Sequence, residues 1–169
     1  CIRDSYEHPP LAMGMQSIFF YVFGDNIYVE RFYAFFTFIV IAYIIHLIWG
    51  EINRKGLNYL SWVPLLFWII IPLNSWAYSN NMLENTMNIF VSLSVLFALK
   101  SFKSKKLKNI FFAGTFLSLA FLSKGFVGLF PLSIFFCHFI VFKEMNIKEM
   151  LSKSAQLFLF TITPFTSVL

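Results

Sequence analysis

The chain has 169 residues, of which 59% are hydrophobic and 12% charged, with 24 Phe and a formal net charge of +5, and its mean hydropathy is +0.73. That hydropathy lies above the range of soluble domains, and the scarcity of Gly and Pro, with no repeat period and no low-complexity tract beyond a short Lys-rich run, excludes fibrous, solenoid and disordered classes. An all-α membrane protein remains, because lipid demands internal pairing of every backbone polar group and the apolar runs are too long and unalternating for a membrane barrel.

The chain opens with the polar stretch "CIRDSYEHPP", read as an outer loop over residues 1–10. His8 precedes a proline and is held extended. Residues 11–23 are too few to span and include Gln16, so they read as an interfacial helix, started by Pro9-Pro10 and stopped by Gly24. A helix rising 1.5 Å per residue needs about 20 apolar residues to cross a bilayer core of roughly 30 Å. Residues 32–50 and 59–78 meet that, and 86–102 is shorter but workable. Residues 109–142 would reach roughly 50 Å as one straight helix, so two spans are expected, 109–123 and 126–142, turning at Ser123-Lys124-Gly125. Residues 156–169 open a further span. All of these belong to one transmembrane domain over 1–169, a polytopic helix bundle. Cys1 and Cys137 are too few for a disulfide framework, and Cys137, inside an apolar run, reads as a buried small hydrophobe. The chain begins with Cys and stops within the apolar "FTITPFTSVL", so it reads as an internal piece of a longer protein.

Direction follows from the positive charges. Arg54 and Lys55 share one loop; Lys100, Lys103, Lys105, Lys106 and Lys108 another; Lys143, Lys148 and Lys153 a third. These alternate loops hold most of the 13 basic residues, which makes them cytoplasmic. The Lys-rich run is a solvated topology signal, and no nucleic-acid partner is expected. Asp4, Glu7, His8, Asp25, Glu30, Arg31, Glu84 and Lys124 are then expected to face outward.

Lys124 is the sharpest single residue. A lysine between apolar segments costs roughly 2.5 to 3.5 kcal/mol on insertion scales, so it needs water, an anion or a partner. It either snorkels from a helix end or, with the small Gly125 beside it, receives an anion such as a lipid phosphate. Gly128 adds room for close packing. Glu7 and His8 are adjacent and point to opposite sides of an extended segment unless the backbone bends, so joint metal ligation is open but not implied. Glu84 heads a span, where a carboxylate complements the helix N-terminus. Arg31 heads another, where it pairs with Glu30 or snorkels. His46 and His138 read as packed core residues. No nucleotide-binding glycine pattern, paired CxxC or HExxH is present.

"YEHPPL" followed by "FFYVFGDNIYVERFYAF" resembles the segment after the first outer loop in membrane-embedded glycosyltransferases of the dolichyl-phosphate-mannose protein mannosyltransferase-like group, whose superfamily includes the lipid A aminoarabinose transferase. Gly24, Asp25 and Arg31 resemble its G-[DN]-x-x-x-x-R element, with five residues rather than four between Asp25 and Arg31. "NNMLENTMNIF" is similar to its acidic element at the head of a span, and "LAFLSKGFVGLFPL" to its L-[TS]-K-G-P-x-G-L turn. The resemblance implies a GT-C-type enzyme that moves a hexosyl or pentosyl group, with inversion, from a polyprenyl-phosphate donor to a glycan, lipid or protein acceptor outside the cytoplasm. It implies that Lys124 contacts the lipid phosphate with Gly125 beside it. Glu7 and His8 would line the site or hold a divalent metal ion; no nucleotide cofactor is implied. Glu84 would stand where members often carry an aspartate, and Arg31 would support the loop at the substrate site. Phe126 departs from the proline common after Lys-Gly. The leading catalytic acid would lie upstream, with Asp4 a weak substitute, so this piece alone is expected to be inactive.

The enzyme reading expects Lys124, Glu7 and Glu84 around one outward cavity. A transporter would need polar groups through the midplane, where these spans offer mainly Ser, Thr and Asn. A structural membrane subunit would leave the outward charges scattered. A lipid-carrier glycan polymerase or ligase would share the phosphate site. The bias to Lys, Asn, Ile and Phe suits an AT-rich bacterial genome, hence a bacterial inner membrane and cell-envelope chemistry among membrane lipids.

Overall fold

The computed structural model describes residues 9–53, 60–104, 106–142 and 146–166. Among them there is helix and no strand: α1 Pro10–Phe23, α2 Ile27–Ile52, α3 Trp62–Ile70, α4 Pro72–Ser79, α5 Leu83–Lys103, α6 Leu107–Lys124, a 3-10 segment Gly125–Ser133, α7 Ile134–Phe142 and α8 Ile147–Thr166. Three stretches are long and apolar enough to cross a membrane: Ile27–Ile52, Leu83–Phe102 and Leu107–Val141. The protein is an all-α membrane helix bundle.

Helices α5 and α6 form an antiparallel hairpin at its centre. Small residues let them approach: Ser94, Ala113 and Ala120 are fully buried, and Ser94 Oγ donates across the interface to the Ala113 carbonyl at 2.9 Å. At the other side of α6, a Cβ on Gly114 would stand 2.5 Å from Phe160 Cβ, so the glycine allows α8 to close in. Phe135 and Leu157 complete this cluster from α7 and α8. On the opposite flank of α5, Ile41 and Ile44 of α2 pack with Ile89 and Leu96, and Tyr33 Oη lies 2.6 Å from Thr86 Oγ1 in a buried hydrogen bond. Many large apolar side chains of α2, α3 and α7 remain exposed, as lipid-facing helices require.

The long apolar stretch from residue 107 reverses after Lys124. Gly125 ends α6 at φ +74 and donates its N–H to the Phe121 carbonyl. The 3-10 segment then folds back: a Cβ on Gly128 would meet Ala120 backbone at 2.7 Å. Further along, α7 returns toward the far end of α5, where the His138 ring stacks on Phe102 at 3.7 Å between centroids.

Three details differ from the sequence expectations. Residues 59–78 are not one rod over their described part: the helix stops at Ile70 and resumes at Pro72, with Ile71 extended at ψ 115. Pro72 supplies no N–H and forces the preceding residue out of helical conformation. Cys137 is exposed rather than buried, and His46 is exposed where packing was expected, while His138 is buried. Hydropathy records that a run is apolar, but in a membrane it does not tell which face meets protein and which meets lipid.

Candidate functional site

Because α5 and α6 run antiparallel, the first turn of α5 lies beside the last turn of α6. Glu84 occupies that first turn and Lys124 that last one, each charge complementing its own helix end. Lys124 Nζ and Glu84 Oε1 form an ion pair, with side chains 24% and 34% exposed. Neither charge is freely solvated. The ammonium is held at the helix end by a carboxylate from another helix, so it does not simply snorkel.

The surrounding backbone fixes both partners. Gly125 takes a conformation that side-chain-bearing residues rarely adopt, with open space where its Cβ would be. Ser123 is fully buried and its hydroxyl donates to the Leu119 carbonyl at 2.9 Å, which anchors the last turn of α6. Ahead of Glu84, Asn81 adopts φ +45, and the turn closes with Met82 N–H on the Ala77 carbonyl at 3.1 Å. The amide of Asn85, itself fully buried, donates to that same carbonyl at 3.2 Å. The Arg31 guanidinium, from the first turns of α2, donates to the Ser79 carbonyl. Arg31 therefore braces the loop that presents Glu84, pairing with a backbone carbonyl of α4. Buried side-chain oxygens of Asn81 and Asn85 have no hydrogen-bond donor among the described residues.

Helix α1 adds a third wall. Leu11 and Met15 pack on a cluster that includes Met87 and Ala120, one turn inside Glu84 and Lys124 respectively. An apolar groove of about 320 Å³, lined by Phe121, Leu129, Leu132, Phe158, Thr161 and Ile162, lies one turn below Lys124.

Of the residues singled out in the sequence, Lys124, Gly125 and Glu84 are thus brought together, and Arg31 supports the adjoining loop. Asp4, Glu7 and His8 lie outside the described residues. No group of three His, Cys, Asp or Glu side chains among the described residues is arranged to hold a metal ion. Sequence reasoning missed Asn85, the Tyr33 to Thr86 link and the Asn80-Asn81 turn; an Asn pair between apolar helices was the signal available for the last.

The family model for dolichyl-phosphate-mannose-protein mannosyltransferases matches residues 7–168. No curated protein and no solved structure matches the chain. The matched region contains α1 and its packing partners, the Lys124 to Glu84 pair and the reversal at Gly125. The chain belongs to the dolichyl-phosphate-mannose-protein mannosyltransferase family, membrane glycosyltransferases of the GT-C type that draw on a polyprenyl-phosphate-linked sugar donor.

Proposed function

We propose that this chain carries the donor-phosphate end of an inverting glycosyltransferase site, in which Lys124 receives the phosphate of the polyprenyl-phosphate sugar. The observation that carries the reading is the ion pair between Lys124 and Glu84 at a common helix end. At rest the Glu84 carboxylate neutralises the ammonium; on donor binding the phosphate takes its place on Lys124 through a charge-assisted hydrogen bond. The apolar groove beside Phe121 suits the start of the prenyl chain.

The chemistry then follows as a displacement at the anomeric carbon. The acceptor hydroxyl oxygen forms a bond to that carbon on the face opposite the phosphate, and the bond between the carbon and the phosphate oxygen breaks. Its electron pair leaves with the lipid phosphate, where Lys124 stabilises the charge as it develops. The acceptor proton passes to a carboxylate. That base belongs on the acceptor's face of the sugar, whereas Glu84, released from Lys124, sits on the leaving-group side and sets the charge around the departing phosphate. On this reading Glu7 and His8 serve the same site, and Asp4 is a weak substitute for an acid further upstream. Gly125 admits the phosphate close to the backbone, and Arg31 holds the loop in register.

Placement in the membrane supports an active site away from the cytoplasm. Lys100, Lys106, Lys108, Lys148 and Lys153 cluster toward the opposite ends of α5, α6 and α8, the end that faces inward by the positive-inside rule. On this reading the acceptor is met at the periplasmic face of a bacterial inner membrane.

The test is transfer by the full-length protein from a polyprenyl-phosphate-linked sugar. Lys124→Ala is expected to lower kcat/KM by about 100-fold or more, the scale of losing one charge-stabilising donor, while Lys124→Arg retains a measurable part. Activity of Lys124→Ala within twofold of the parent would refute the reading.

A further inference from the structure

At the end of the bundle opposite Lys124, a cleft of about 250 Å³ opens among α5, α6 and α8, lined by the polar Ser101, Glu149, Ser152, Lys153 and Gln156 and the apolar Leu107 and Ile110. Its polar side chains contrast with the purely apolar groove near Phe121. The Lys153 side chain is only 12% exposed and pairs with Glu149 one turn earlier at 3.1 Å. Its Nζ also lies 5.4 Å above the centroid of the Phe102 ring, a second hold on the cation. The ammonium is therefore fixed at the cleft rather than dispersed in water. Lys106 and Lys108 flank Leu107, and Lys148 adjoins Glu149, all three exposed. Within the cleft Lys153 and Glu149 balance; Lys108, which lines the adjoining groove, and the exposed Lys106 and Lys148 make this end of the bundle cationic.

Leu107 lines a second hollow as well, a groove of about 520 Å³ formed with Lys108, Phe111, Phe112 and Phe160. Apart from Lys108 it is apolar and aromatic. Phe111 and Phe112 are exposed, so the groove lies open on the side where lipid would be. A cationic, hydrogen-bonding cleft that shares one leucine with an aromatic groove matches an amphiphile with an anionic head and hydrocarbon tail.

We propose that α6 and α8 bind one anionic membrane phospholipid here. Its phosphate is held by Lys108 and Lys153, with Ser152 and Gln156 as neutral donors, and an acyl chain lies along Phe111, Phe112 and Phe160. Basic pockets between membrane helices at the cytoplasmic level recognise such headgroups, and the surplus of lysines discriminates against lipids without net charge. The inference is independent of the donor site, which lies at the other end of both helices.

Full-length protein, delipidated in detergent, tests it by thermal unfolding with added phosphatidylglycerol or phosphatidylcholine, since a ligand that binds the folded state raises Tm. Phosphatidylglycerol is expected to raise Tm and phosphatidylcholine not. The Lys108→Gln/Lys153→Gln variant is expected to need about tenfold more phosphatidylglycerol for the same rise, the scale of lost charge-assisted bonds. Equal responses to both lipids, or an unchanged response in the variant, would overturn the proposal. Should the variant fail to fold, a photoreactive phosphatidylglycerol on the parent protein decides: labelling of peptides with Phe111, Phe112 or Phe160 supports the site, and labelling confined to other helices refutes it.

Discussion

Lys124 closes α6 and Glu84 opens α5, 40 positions apart, and their side chains pair across the hairpin. This places a cation and a carboxylate together at one end of the bundle with the Gly125 turn between α6 and the returning chain. The first expectation concerns exchange of the two charges. Lys124→Glu combined with Glu84→Lys keeps the pair but sets each charge against its helix end, and is expected to cost about 1 to 3 kcal/mol of stability while the fold is kept. Transfer should nevertheless be lost, because the ammonium then sits on α5. Thermal unfolding and transfer assays on the same preparation separate a purely structural pair, which would keep activity.

A second expectation rests on Tyr33 and Thr86, whose hydroxyls meet at 2.6 Å inside the α2 to α5 interface. Thr86→Val should cost about 1 to 2 kcal/mol by leaving the Tyr33 hydroxyl buried without its partner. In a Tyr33→Phe background the same change should cost much less. A double-mutant cycle reads the difference as a coupling of about 1 kcal/mol; additive single effects would contradict it.

Two glycines near the reversal should fail for different reasons. Gly128→Ala drives a Cβ into Ala120 backbone at 2.7 Å, a contact that no rotamer change relieves, so the 3-10 segment must separate from α6. Gly125→Ala meets nothing within 4 Å but carries φ +74, so its cost is backbone strain of about 1 to 3 kcal/mol. Gly128→Ala should give the larger fall in Tm. Gly125→Ala should lower transfer out of proportion to its Tm, because the strained residue adjoins Lys124. The reverse order in Tm would show that the turn is not packed as described.

Arg31→Ala removes the donor to the Ser79 carbonyl while leaving Glu84 itself intact. Amide hydrogen exchange at Asn80, Asn81 and Met82 should quicken, with that of the α5 interior unchanged. Unchanged exchange in that turn would mean the loop is held by its own hydrogen bonds alone.

Much of the fold was legible because lipid simplifies the code. Long apolar runs broken by charged turns give helices, and the Lys124-Gly125 step signalled a reversal through a charge and a flexible backbone placed between two such runs. Charge counting placed Glu84 and Lys124 toward one membrane face and the enzyme reading expected them at one cavity, but neither carries a distance, so their direct pairing across the hairpin was not foreseen. Pro72 was read through because hydropathy does not register a missing N–H. Arg31 was read from its neighbours as pairing with Glu30 or snorkelling, and from the resemblance as a support for the loop; the turn after α4 brings the Ser79 carbonyl to it. Thr86 and Asn85 looked ordinary; their importance comes from which face of α5 is covered, and that depends on neighbours distant in sequence. Exposure of Cys137 and His46 went unforeseen for the same reason.

The most direct test of the central claim is binding of polyprenyl monophosphate, the lipid released by transfer, to the full-length protein and to Lys124→Ala. It isolates the phosphate contact from the acceptor and from proton transfer. A charge-assisted bond of about 1.5 to 3 kcal/mol corresponds to an affinity roughly 10- to 150-fold weaker in the variant, and Lys124→Arg should recover part of it. Equal affinity in parent and Lys124→Ala would show that the phosphate does not rest on Lys124, leaving the pair with Glu84 as a brace between α5 and α6.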